Sequence, residues 1–145
     1  MKLDLMLLAN YAEAQNELLY IHGGGWDTIN VTAPLQVPEV GPDVFAVIQG
    51  TLVVRLHFHQ METDRNHQFE VTIMYEDGQT IADLKAEFPV ARNTSLPTSW
   101  LQNVNIVLPL SGVALPHPGE YVLNLAVNGQ WMGDRQFRVV KAYED

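Results

Sequence analysis

The chain has 145 residues, the size of one domain, and 47% of them are apolar, enough for a packed core. Its formal net charge of −9 is the wrong sign for nucleic acid or an anionic membrane surface, both of which select basic faces. The absence of cysteine removes disulfides, thiol catalysis and cysteine-bound zinc together.

A cysteine-free chain fits a reducing compartment, so a cytoplasmic location is expected. Met1–Ala9 is too short an apolar run for a signal peptide, and Asp4 interrupts it. No run approaches the roughly 20 residues that span a bilayer. One domain, residues 1–145, is expected.

Period-2 alternation dominates from the start. Leu3, Leu5 and Leu7 read as one face of a first strand, and Asn10 to Glu17 as a polar connection. Leu18 to His22 reads as a second strand, followed by Gly23-Gly24-Gly25-Trp26-Asp27. Pro34, Pro38 and Pro42 then punctuate a segment poor in backbone donors, an edge strand or a crossover. The next strand is the clearest. Ile48, Leu52, Val54, Leu56 and Phe58 share a core face, and Gln49, Thr51, Arg55, His57 and His59 share a wet one. Gly50 interrupts that strand as a bulge would.

After a charged loop, Phe69, Val71, Ile73 and Tyr75 form a return strand, and Asp77-Gly78 is a tight-turn signal. Ala82, Leu84, Ala86 and Phe88 alternate with Asp83, Lys85 and Glu87 in the strand that follows. A polar loop from Pro89 to Ser99 leads to Val104, Ile106, Leu108 and Leu110. The chain closes on a hairpin: Tyr121, Leu123, Leu125 and Val127, a turn at Asn128-Gly129-Gln130, then Trp131, Phe137 and Val139.

This spacing predicts an all-β fold, a two-sheet antiparallel β-sandwich of about eight strands. Gly119-Glu120-Tyr121 adds an immunoglobulin-like detail. A Tyr just inside a strand after a corner is placed to bond upstream backbone through its hydroxyl, as in a tyrosine corner. Leu123 stands where antibody domains carry a cysteine, so apolar packing alone must hold the sheets.

Three segments carry a resemblance. They are Leu19-Tyr20-Ile21-His22-Gly23-Gly24-Gly25-Trp26-Asp27, the Tyr75-Glu76-Asp77-Gly78 hairpin, and an ending with Pro118-Gly119-Glu120-Tyr121, Asn128-Gly129 and Phe137-Arg138-Val139. Together they resemble an uncharacterised bacterial family of small all-β proteins with a Tyr-Ile-x-Gly-Gly-Gly-Trp-Asp signature near the N-terminus. The resemblance implies a bacterial or bacteriophage protein. It brings no activity, cofactor or site residue.

Few residues suggest chemistry. The Gly23-Gly24-Gly25 run could cradle a phosphate on its backbone N–H groups. However, no Lys-Ser/Thr pair and no helix follow, and Asp27 would repel the anion, so the segment reads as a structural turn with Trp26 packed back on the sheet. His57 and His59 point the same way from one strand and could meet His67, Glu62 or Asp64 around zinc. Arg55 on the same face opposes a cation, and ordinary surface histidines are the preferred reading. His22 and His117 are singletons. Ser95, Ser99 and Ser111 lack a nucleophile elbow. Glu76-Asp77 and Glu144-Asp145 read as solubility. Trp26, Trp100 and Trp131 lie in turns or at strand edges, where they could stack on a sugar, anchor a partner or cap the open ends of the fold.

The expectation is therefore a non-enzymatic β-sandwich, with no cofactor, that binds a protein partner or assembles with its own copies. A small carbohydrate-binding module around the tryptophans is the alternative. A metal-dependent enzyme around His57, His59 and His67 is the third reading.

Overall fold

The structure, a computed structural model, describes residues 1–35 and 44–144. Within them the chain is all β: eleven strands and one 3-10 turn, Gln60–Glu62. One sheet contains β1 (Lys2–Gln15), β2 (Leu18–Gly24), β5 (Thr51–Phe58) and β8 (Gln102–Pro109), in the order β2-β1-β5-β8. The second contains β3 (Thr28–Val31), β6 (Arg65–Tyr75), β7 (Thr80–Val90), β10 (Gly119–Val127) and β11 (Gln130–Lys141), in the order β3-β11-β10-β6-β7. A two-residue pair, β4 (Ala46–Val47) with β9 (Ala114–Leu115), completes the set.

Both sheets are curled into half-barrels and enclose one core. Met6 and Leu8 of β1, Leu52, Val54, Leu56 and Phe58 of β5, and Ile106 and Leu108 of β8 meet Phe69, Val71 and Ile73 of β6, the apolar face of β10, and Phe137 and Val139 of β11. Every apolar residue assigned to the core face of the long central strand is fully buried, Ile48 included.

The strand count exceeds the expected eight because β3, β4 and β9 run for four, two and two residues, too short to show a period. Ile48 lies outside the central strand, its backbone bonded to Val113 and Gly112. The pairing is also not wholly antiparallel, since β3 runs parallel to β11. Of the proline-punctuated segment, Pro38 and Pro42 lie outside the described residues.

Three expectations about faces change. A register shift between Leu3 and Leu5 splits the first leucines. Leu3 packs on the main core, whereas Leu7 joins a second cluster on the outer face of the β1–β5–β8 sheet. Such a bulge reverses every side chain beyond it. Asn10 to Gln15 is not a connection but the far half of β1, paired with β2 up to Gln15 opposite Leu18. The turn is only Asn16-Glu17, both at positive φ, 53° and 64°, as a two-residue I′ turn requires.

The outer face of β5 is likewise not simply wet. Val53 is fully buried beneath Ala9 and Ala12, with Leu19, Ile21 and Val107 packed around them. The far half of the β1–β2 hairpin has folded over this face, and its tip is fixed by the Asn105 side-chain amide donating to the Glu17 carbonyl at 3.0 Å.

The tyrosine corner is present in its hydrogen bonds. The Tyr121 hydroxyl donates to the His117 carbonyl (2.6 Å) and accepts from the His117 N–H (3.1 Å). Its ring stacks on Phe137 at 5.3 Å and tilts against Tyr75 at 4.9 Å. The Tyr75 hydroxyl donates to the Pro118 carbonyl (2.7 Å), so two tyrosines hold the carbonyls of consecutive residues in one loop. Gly119 is required here: its φ is 136°, and a Cβ would stand 2.6 Å from the Tyr75 hydroxyl. Burial raises the pKa of both phenols above 10. The carboxylates of Glu76 and Asp77 add to the rise in both, and Tyr75 adds to it in Tyr121, while the His117 backbone bond partly opposes it there.

Candidate protein interface

The longest unpaired backbone edge among the described strands belongs to β7. On one side it pairs with β6, with Phe69 opposite Ala86, Val71 opposite Leu84 and Ile73 opposite Ala82. No described strand pairs with its other side.

The direction of its backbone groups follows from its neighbour. Gln68 of β6 uses its N–H on the Asn128 side chain (2.9 Å) and its carbonyl on the Asn128 N–H (2.8 Å). Those groups face β10, so Glu87, which lies opposite Gln68, makes no ladder bond with it. The N–H and carbonyl of Glu87 therefore point to the free edge, and by alternation so do those of Lys85 and Asp83. Pro89 falls on the same outward set, where its missing N–H leaves no bond to β6 unmade. At the far end Val90 turns its carbonyl inward to the Asp64 N–H, consistent with this parity.

Beside this edge lies an apolar cavity of 210 Å³. Leu84, Lys85 and Ala86 line one side with Phe69 and Val71 behind them, and Leu108, Pro109 and Leu110 line the other. The edges of the two sheets thus face each other across an open seam. The β1–β2 tip closes one end of it: Ala14 to Glu17 border a second cavity with Phe88 to Ala91 and Gln102 to Ile106. Ala82, Leu84, Ala86 and Phe88 remain only half-buried, whereas the corresponding residues of β10 are fully buried. What this arrangement offers is a row of backbone donors and acceptors, an apolar floor and a charged outer face of Asp83, Lys85 and Glu87.

The histidines do not converge. His57 Nε2 lies 3.2 Å from Asp4 Oδ1, and Arg55 Nε lies 3.6 Å from the other Asp4 oxygen. His59 is exposed at the start of the 3-10 turn, where its N–H donates to Glu62 Oε1 (2.9 Å).

His67 departs most from the surface reading, at 1% exposure. It lies 4.8 Å from the Phe58 ring. Its Nδ1 is 2.8 Å from the Asn128 side-chain nitrogen, and its Nε2 is 2.6 Å from the Glu62 carbonyl. An amide NH₂ can only donate and a carbonyl only accept, so the ring carries its proton on Nε2. His67 thereby ties the 3-10 turn to the β10–β11 turn. Nothing in its spacing announced this, because burial of an isolated polar residue depends on what folds over it. Among the described residues no group of three or more His, Asp or Glu side chains is placed to hold a metal ion.

The glycine triplet is a turn in its geometry. Gly23 and Gly25 hold φ of 61° and 86°. Gly24 has no positive φ, but a Cβ there would meet Ile21 Cγ2 at 2.7 Å. Trp26 packs back on the core, edge-on to Phe137 at 6.0 Å. Asp27 accepts from the Thr28 hydroxyl (2.9 Å). Trp131 is exposed and donates to Asn124 Oδ1 at 3.2 Å. Trp100 is exposed in the loop before β8, its carbonyl 3.4 Å from the Gln60 amide. One tryptophan is thus partly buried against the core while two are exposed.

His117 packs against Tyr75, and His22 against Tyr11. Ser111 exchanges hydrogen bonds with the backbone of Gly50, while Ser95 and Ser99 are exposed loop residues. No helix of the described residues is long and apolar enough to cross a membrane.

The fold and edge define an all-β protein with an open sheet boundary. A family of unknown function, DUF6941, matches residues 4–140, and the chain belongs to that family. No curated protein matches it.

Proposed function

We propose that this is a non-enzymatic assembly module that binds another polypeptide by strand addition along β7. The observation that carries the reading is the outward edge of β7, with unpaired backbone groups beside an apolar cavity. Extended segments add to such edges through main-chain hydrogen bonds, and the adjoining cavity selects side chains. The arrangement of Tyr121 and His117 supports taking the curled sheets as an immunoglobulin-like sandwich. On this reading the protein is bacterial or phage-derived and acts in the cytoplasm. Its net charge of −9 keeps it from nucleic acid. On the same reading the Tyr20–Asp27 segment, supported by Gly23 and Gly25 at positive φ and by the inward packing of Trp26, is a signature of the family.

Selection from a displayed library of ten-residue peptides tests the binding mode. The expected winners are extended, with alternating apolar residues, and lose binding to Lys85→Pro. That change removes one outward N–H and cuts no bond to β6. Selection of only compact or sugar-mimicking ligands that ignore Lys85→Pro would overturn it.

A further inference from the structure

We infer that the strand added to β7 is β7 of a second copy of this chain. The inference rests on the strand-addition reading and commits it to one occupant. Charged residues on an edge strand usually keep sheets apart. Here their signs alternate: Asp83, Lys85 and Glu87 follow one another on the exposed face, with Lys85 also 3.4 Å from Glu70 within its own sheet. An antiparallel, two-fold pairing of β7 with itself preserves faces only if it is centred on a residue of the strand.

Three centres are available in mid-strand. Centred on Lys85, lysine opposes lysine and Asp83 opposes Glu87, a repulsive set. Centred on Leu84, Lys85 opposes Asp83, but Glu87 falls against Ile81, which is unpaired at the register shift between Ala82 and Thr80. Centred on Ala86, Lys85 of each copy opposes Glu87 of the other. Leu84 then opposes Phe88, Ala82 opposes Val90, and Asp83 donates to the carbonyl of Pro89, which has no N–H to offer. This register sets opposite charges together twice. It lays half-buried Leu84 on half-buried Phe88, and it uses the outward backbone groups of Lys85 and Glu87 in full. The product is one continuous ten-stranded sheet across the two copies.

Sedimentation equilibrium of the full chain tests this, with far-UV circular dichroism and melting temperature recorded to show that each variant folds. Wild type should sediment at about twice 16.3 kDa. Lys85→Glu should raise the dimer dissociation constant by about tenfold, since two attractive cross-strand pairs become repulsive. The swap Lys85→Glu/Glu87→Lys should restore it. Lys85→Pro should yield a folded monomer. A second readout fixes the register: Ala86→Cys should form an intermolecular disulfide under air, and Leu84→Cys should not. A wild type that stays monomeric, or a dimer indifferent to both Lys85→Glu and Lys85→Pro, overturns the inference. A monomer that still selects extended peptides on β7 overturns only the second copy. A monomer that selects none overturns the strand-addition reading with it.

Discussion

β10 and β7 belong to the same sheet, one strand apart, and carry the same written pattern, yet they do different things. Tyr121, Leu123, Leu125 and Val127 of β10 alternate with partly covered residues and are buried to 2% exposure or less. Ala82, Leu84, Ala86 and Phe88 of β7 alternate just as regularly, and none is fully buried. The difference is neighbours. β10 is flanked by β11 and β6, whereas β7 has β6 alone. Period-2 alternation reports which face of a strand is apolar and is blind to how many strands lie beside it. β10 packs its whole apolar face into the core, and the edge strand β7 is left with surface to offer.

The largest effect expected is at the centre. Leu123→Ala should destabilise by about 2–5 kcal/mol in denaturant titration, the range for a fully buried leucine, because no disulfide shares the load. A loss under about 1 kcal/mol would mean that β10 is not the keystone strand. Tyr121→Phe comes next, at about 1–3 kcal/mol, since it leaves the His117 carbonyl and N–H without their partner.

Tyr121→Phe also carries a pH signature. A phenol raised above 10 in the fold contributes stability that is complete below pH 10 and is lost as pH rises through the folded value. Wild type should therefore weaken above pH 10, and Tyr121→Phe should show a shallower alkaline decline. Parallel alkaline limbs would break the assignment.

Leu84→Ala, the same chemical change on the edge strand, should cost only about 1 kcal/mol in the monomer because Leu84 is half-buried. Equal losses at Leu123 and Leu84 would collapse the distinction between the two strands.

The smallest effect is a control outside both. Burial pushes the Glu62 carboxyl up. Hydrogen bonds from the Met1 amino group and the neutral His59 backbone N–H, together with the charges of the Met1 ammonium and the His59 side chain, outweigh it and hold Glu62 below its ordinary 4.5. That stability is present above pH 4.5 and is lost as pH falls through the lowered value. Glu62→Gln should flatten the acid limb of a melting-temperature profile and leave the alkaline limb unchanged.

Turns were the most legible feature of the chain. Asn128-Gly129 sits at φ 52° and 81°, and Gly78 at 87°, as their dipeptides foretold, because turn chemistry is local. The core face of β5 was equally legible from alternation. Less so was the first strand: the bulge between Leu3 and Leu5 leaves no mark in composition, yet it moves Leu7 from the core to the outer face. Asn10 to Glu17 looked like a loop because its residues are polar. It is a strand because β2 folds back on it and Ala12 covers Val53. The candidate interface was visible only as another alternating strand.

From the sequence alone came the all-β class, the tight turns at Asp77-Gly78 and Asn128-Gly129, the inward faces of β5, β6, β8 and β10, and the part played by Tyr121. Those follow from interactions spanning a few residues: side-chain period, glycine at positive φ, proline without a donor. Tertiary structure alone decided that β7 is an edge, that His67 is buried between two turns, that the β1–β2 hairpin shields Val53, and that β3 runs parallel to β11. Each depends on which segments, distant along the chain, come to lie side by side, and no local pattern encodes its own neighbours.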